Sequence, residues 1–352
     1  MRLIGGESTG SYARRLAETN HIPLHEFWSM FGDPLRPSAL PSDPRYSDGY
    51  LNAAALERLA VMAGRSVGEL QCALPNVRPE RLLDGGRGPV WDWRWDTSGC
   101  FLVRVCEMCA LIKGTDQNAY LAADATWQVC ARHARWLDNR REPDAAAVGL
   151  AALPEVVEAH RQRLVFERRL GAGGRALFAD AYAIVSCWWN LPSLNARIWQ
   201  RRRRVLGRTG EDELRVAPLV FYPEAVRLAA VLAARERQRL RGTLTARSET
   251  AWVGRVTGLL EAWGIPLPAA LMMIAWWVRR HPPLDEPRPR KRVAVQRPAR
   301  GRHRPLPLCT SHAPHDLTAT LGERSCLPFR LGEMISADLS PAPGGWSLDG
   351  LT

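Results

Sequence analysis

The sequence predicts a mainly α-helical protein that carries one small metal-organised α+β module and ends in a disordered basic tail. Three observations lead there. Apolar residues recur at helical spacing through most of the first 281 residues. One stretch near residue 100 breaks that pattern with alternating aromatic and polar residues and then four metal-ligand side chains. From Pro282 onward Pro and Arg alternate, a composition that cannot bury enough apolar surface to fold. Four parts follow: helical residues 1–85, a zinc-ribbon-like module at 86–140, a helical domain at 141–281 and a tail at 282–352.

The N-terminal part opens with Ser8, Thr9 and Ser11 as candidate helix caps ahead of Tyr12, Leu16 and Ala17 on one face. Asn20-His21-Ile22-Pro23 ends that helix, and Leu24, Phe27, Trp28 and Phe31 form a second stripe. Between Leu51 and Leu74, two amphipathic segments flank Gly64-Arg65-Ser66, with Ser66 as the second cap. This has the outline of a helix-turn-helix. The second segment has few basic residues, so packing is favoured over base reading.

In the module, Trp91-Asp92-Trp93-Arg94-Trp95 alternates as a strand does. Phe101 to Val105 leads into Cys106-x-x-Cys109, and Thr126 to Val129 leads into Cys130-x-x-His133. Twenty residues separate the doublets. A two-residue gap turns both side chains of a doublet onto one ion, so two doublets complete a closed tetrahedral Zn²⁺ site, one per chain. Ala131 to Leu137 is expected to begin a helix, with Trp136 and Leu137 closing over the metal. Metal binding contributes on the order of 10 kcal/mol to folding in modules of this size. Among the other cysteines, Cys100 is a weak alternative ligand. Cys309, His312, His315 and Cys326 form a conceivable second site, but the Pro-rich surroundings favour unstructured residues.

The expected helices beyond the module are Glu155–Leu170, Ala176–Trp189, Ser193–Leu206, Pro223–Arg241, Ser248–Trp263 and a last apolar one from Ile265 to Val278. The last run is about fourteen residues long, short of the roughly twenty that cross a bilayer. Met1 to Gly6 lacks a basic start followed by an apolar run, so a cytoplasmic, nucleoid-associated chain is expected, and cysteines there serve metal more often than disulfides.

The net charge is +12, carried almost wholly by arginine, since Lys113 and Lys291 are the only lysines. A basic chain of this kind points to DNA, because Arg neutralises phosphates and releases counterions. The candidate contacts are Arg201, Arg202, Arg203 and Arg204, and Arg290, Lys291 and Arg292 in the tail. A solvated helix end explains the first cluster equally well. No P-loop, HExxH or Gly-x-Ser-x-Gly pattern is present, which leaves little ground for an enzyme.

Two stretches together resemble the TniQ family. One is Gly6-Glu7-Ser8-Thr9-Gly10-Ser11-Tyr12 with Arg15-Leu16-Ala17 and Asn20. The other is the CxxC, Trp127, Cys130-Ala131-Arg132-His133, Trp136-Leu137 order. The resemblance covers about residues 4 to 138. It implies a non-catalytic accessory of DNA transposition that binds DNA or a guide complex and recruits a transposase and an AAA-class ATPase. It assigns the zinc-ligand roles to Cys106, Cys109, Cys130 and His133, and no base-reading residue. The Arg-Pro tail and the region after residue 141 lie outside the resemblance. A DNA-binding regulator on the same scaffold is the alternative, and homo-oligomerisation stays open.

Overall fold

The computed structural model describes residues 1–32, 43–45, 47–85, 88–92, 101–115, 118–123, 127–138, 147–191, 194, 196–207 and 211–283. The chain is mainly helical, with short antiparallel sheets. It divides into two compact units, Met1–Ala151 and Ala152–Thr352. The N-terminal helices and the metal-ligand stretch therefore belong to one unit.

In the first unit, α1 (Thr9–Thr19) begins at Ser8, whose Oγ accepts from the Ser11 N–H at 3.1 Å. Asn20 caps its far end. α2 (Leu24–Ser29) follows Pro23. α3 (Ala53–Ala63) is capped by Asn52 and stops at Gly64, whose φ of +59° favours glycine. α4 (Val67–Ala73) opens with a capping box between Ser66 and Glu69. Leu56 and Leu59 of α3 and Leu70 of α4 are buried in the core with Tyr12, Phe27 and Phe31. Both helices thus turn apolar faces inward, as the packing reading expects.

Strand β1 (Asp48–Tyr50) pairs with β2 (Val90–Asp92), with Gly49 opposite Trp91. This pair brings Trp28 and Trp91 together, ring centroids 4.5 Å apart. Glycine makes the approach possible. A Cβ on Gly49 would lie 2.1 Å from the Trp28 ring, and one on Gly10 would lie 2.4 Å from Trp91. The residues from Trp93 to Trp95 fall outside the described set.

The remainder of the unit carries the four ligands. β3 (Phe101–Arg104) leads into α5 (Glu107–Ile112) and returns as β4 (Tyr120–Ala123), its antiparallel partner. β5 (Trp127–Cys130) and β6 (Arg135–Asp138) form a hairpin, and β7 (Val148–Gly149) adds an outer strand. The helix expected from Ala131 is not there: residues 131–134 are a turn, and Arg135 to Asp138 is strand. The turn is closed by Ala134 in the left-handed region, φ +48°, and its carbonyl accepts from Leu150. Reversing the chain at His133 aims that ring at Cys130, which a continuing strand would not do.

The second unit is wholly helical among its described residues: α6 (Pro154–Leu170), α7 (Ala172–Asn190), α8 (Arg197–Leu206), α9 (Glu211–Leu240), α10 (Ala246–Trp263) and α11 (Leu267–Arg280). α9 packs against α6, α7, α8 and α10. Its segment Val216–Leu240 is long and apolar enough to cross a membrane by composition, but it is largely enclosed by its neighbours. Pro223, expected to start this helix, lies inside it together with Pro218. The Arg202 guanidinium donates to the Val220 carbonyl at 2.6 Å, in the turn that Pro223 interrupts. Buried packing holds the helix through both prolines, as tertiary contacts do when they outweigh local propensity.

Candidate metal centre

Cys106 is the N-cap of α5 and Cys109 sits in its first turn. The first doublet therefore lies at a helix start, where a two-residue gap brings both sulfurs to one end. Cys130 ends β5, and His133 comes from the turn that follows. The four ligand atoms all lie within 4.8 Å of one another. His133 Nδ1 is 3.5 Å from Cys106 Sγ, 3.3 Å from Cys109 Sγ and 3.6 Å from Cys130 Sγ. Cys109 Sγ and Cys130 Sγ are 3.7 Å apart.

These edges test the fit. Zn–S bonds near 2.3 Å and Zn–N bonds near 2.05 Å, set tetrahedrally, give S···S edges of about 3.8 Å and S···N edges of about 3.6 Å. The observed edges fall close to both. The donor set suits a cation in charge as well. Burial, and then the neighbouring Cys130 thiol, push the Cys109 thiol up to about 12, and burial drives Cys106 in the same direction. Raised in this way, the Cys106 and Cys109 thiols favour the protonated form without a cation. A divalent ion repays their ionisation. An ion held by all four side chains would have a complete four-coordinate shell, with no open position for a reacting molecule.

The shell around the cluster is apolar. Val103 and Leu137 are buried beside Cys106, with Phe101 packed against them. Leu137 thus takes the closing role expected of it. Gln128 Nε2 donates to the Arg104 carbonyl at 3.0 Å, which ties the β5 hairpin to β3.

A second set of residues fixes this module to α1, and the sequence did not mark their roles. Glu7 and Arg15 are both fully enclosed and form a two-point ion pair, 2.8 Å and 2.6 Å. Ser11 Oγ donates to Glu7 at 2.9 Å and accepts from the Tyr120 N–H at 2.9 Å. The Ser8 N–H donates to the Tyr120 carbonyl, and the Ala122 N–H donates to the Gly6 carbonyl. Residues 6–8 thereby run along β4 as an extra edge. Asp48 is buried behind them and accepts from the Gly10 and Gly49 N–H groups and from Asn76. The signal that could have found this network is the cluster of small polar residues around Glu7, too dense to serve as one cap.

The predicted DNA contacts separate. Arg201, Arg203 and Arg204 are exposed on α8, and the Arg203 guanidinium lies 5.5 Å from the Trp189 ring centroid. Arg202 does not belong with them. It is 3% exposed and pairs with Glu224 at 2.5 Å and 3.0 Å and with Glu155 at 3.2 Å. It faces inward because helical periodicity turns one residue in a run of four toward the core. Arg290, Lys291 and Arg292 lie outside the described residues, as do Cys100, Cys309, His312, His315 and Cys326. No protein-family model, curated protein or solved structure matches this chain.

Proposed function

We propose that this protein is a zinc-stabilised, non-catalytic DNA-binding adaptor, similar in role to TniQ, which helps recruit a DNA transposition machinery. One observation carries the reading. The Gly6-to-Arg15 stretch and the Cys/His stretch, which together resemble that family, are hydrogen-bonded to each other through Gly6, Ser8, Ser11, Tyr120 and Ala122. A motif pair that forms one packed body is what a shared scaffold requires.

Zinc is the ion that the donor set favours, since three thiolates and an imidazole in a tetrahedron suit a borderline-soft d¹⁰ cation. It serves the scaffold and leaves binding to the surface. The net charge of +12 and the exposed Arg201 and Arg204 support contact with phosphates.

Elemental analysis of freshly purified protein is expected to give about one zinc per chain, the stoichiometry of one closed site. Duplex affinity is expected to fall steeply with added salt; no binding at low salt, or a flat salt response, sinks the DNA part of the reading. The genes beside this one test recruitment. An adjacent integrase-like transposase and AAA-class ATPase support it, and their absence shifts the reading to a chromosomal regulator.

A further inference from the structure

The second unit carries a groove of about 600 Å³ bordered by α6 and α9, with Leu259 of α10 at one side. Its floor is apolar: Phe166 and Leu170 from α6, Val226 and Val231 from α9. Its rim is cationic: Arg161 and Arg169 stand on α6, and Arg227 and Arg237 on α9. His160 meets Tyr222 at 3.0 Å, and Arg169 lies near enough to Arg237 to repel it. Each helix contributes two of the four guanidiniums. At 1.5 Å per residue, the two positions lie about 12 Å apart along α6 and about 15 Å apart along α9.

Three of these four charges, those of Arg169, Arg227 and Arg237, lack the partners that a solvated helix face normally finds. Arg161 reaches Glu158 at 3.7 Å, the one carboxylate on the rim. Arg169, Arg227 and Arg237 make no hydrogen bond or ion pair among the described residues. Arg237 is half-buried, and burial, then the like charges of Arg169 and Arg241, hold it below the usual guanidinium value. Val165, beside the floor, is 43% exposed. Unpaired guanidiniums around an apolar trough are complementary to a ligand with carboxylates on one side and apolar side chains on the other.

We infer that this groove docks an acidic amphipathic segment of a partner protein, its apolar stripe on the floor and its carboxylates against Arg169, Arg227 and Arg237. Helix-in-groove recognition works this way, with apolar anchors at helical spacing. Arginine adds two-point hydrogen bonds to carboxylates at the rim. Duplex DNA fits less well. It offers phosphates but no apolar surface to cover the floor, which would be desolvated without gain. The inference stands apart from the zinc and DNA reading and survives its failure.

The test is selection of peptides of about 16 residues, enough for four helical turns, from an unbiased display library against the full-length protein. Enriched sequences are expected to combine Asp or Glu with apolar residues at helical spacing. Anisotropy with the best labelled peptide is expected to show an affinity loss of about tenfold or more in Arg169→Glu/Arg227→Glu. Both positions are exposed, so the fold is retained, and helical circular dichroism checks this. Arg78→Glu/Arg247→Glu, an equal charge change at exposed positions outside the groove, is expected to bind as the parent does. Enrichment without acidic bias, no enrichment, or equal affinity in both variants overturns the proposal. So does loss of duplex affinity in the groove variant alone with no acidic peptide selected, since the groove would then be a phosphate track.

Discussion

The two units solve the same problem by opposite means. The first is assembled from short elements: its longest described helices, α1 and α3, have 11 residues each, and its strands have two to four. It is held at points, by the Glu7–Arg15 pair, the Asp48 hydrogen bonds and the cluster of four candidate metal ligands. The second is held chiefly by area, with enclosed ion pairs such as Arg202–Glu224 and Arg239–Glu236 set into it. α9 alone has 30 residues, and Trp188, Trp199, Trp252 and Trp277 are fully enclosed around the bundle. Short elements cannot bury enough surface individually. Polar and metallic fasteners then carry what area cannot, and each fastener becomes a place where the unit fails.

The largest expected effect of that difference comes from the metal. Cys106→Ser, or chelation, removes a contribution on the order of 10 kcal/mol. Hydrogen exchange followed by peptide is expected to lose protection over residues 101–138 and at Gly6 to Tyr12, while α9 keeps its protection. Equal loss in both units would abolish the contrast. Next comes Glu7→Ala, which leaves Arg15 buried without its partner at a cost of about 3 to 5 kcal/mol. Denaturant unfolding is expected to separate into two transitions, with the earlier one shifted. A single unshifted transition would mean that the pair is not a fastener. The smallest effect lies in the second unit. Burial, then the Arg163 charge, lowers the His160 imidazole from 6.5 to about 4. Between those values the unfolded chain takes up a proton that the folded chain refuses, so stability falls as pH drops through that window. The expected loss is about 2 kcal/mol, allowing for partial exposure. His160→Gln is expected to flatten the dependence, and a titration of the parent with no slope between those pH values would disprove it.

What could be read in advance follows the same division. Devices encoded in adjacent residues were legible: a first cap among Ser8, Thr9 and Ser11, the Ser66 cap, the Gly64 stop, the two ligand doublets and the six long helices, α9 with its start misplaced. Devices made by distant residues were not. The pairing of Gly49 with Trp91 depends on two indoles finding two glycines, and no local pattern announces it. The β6 strand was expected as a helix because Arg135-Trp136-Leu137-Asp138 has no period of its own. The left-handed Ala134 and the pull of His133 toward the sulfurs decide it. Pro223 was taken for a helix start because a proline usually is one, and the packing that overrides it comes from α6, α7 and α8. Arg202 looked like its neighbours in a basic run until the helix turned it onto Glu224.

The hydrogen bond between Ser11 and Tyr120 has a consequence for synthesis. The two residues are 109 positions apart, so α1 leaves the ribosome well before the strand it docks on. At roughly 5 to 20 residues per second, the wait is about 5 to 20 s. During it, Glu7 and Arg15 have no cover, and Cys106 and Cys109 emerge before Cys130 and His133 are available. These groups stay uncovered until the second doublet arrives, which is the moment at which the first 138 residues can close together.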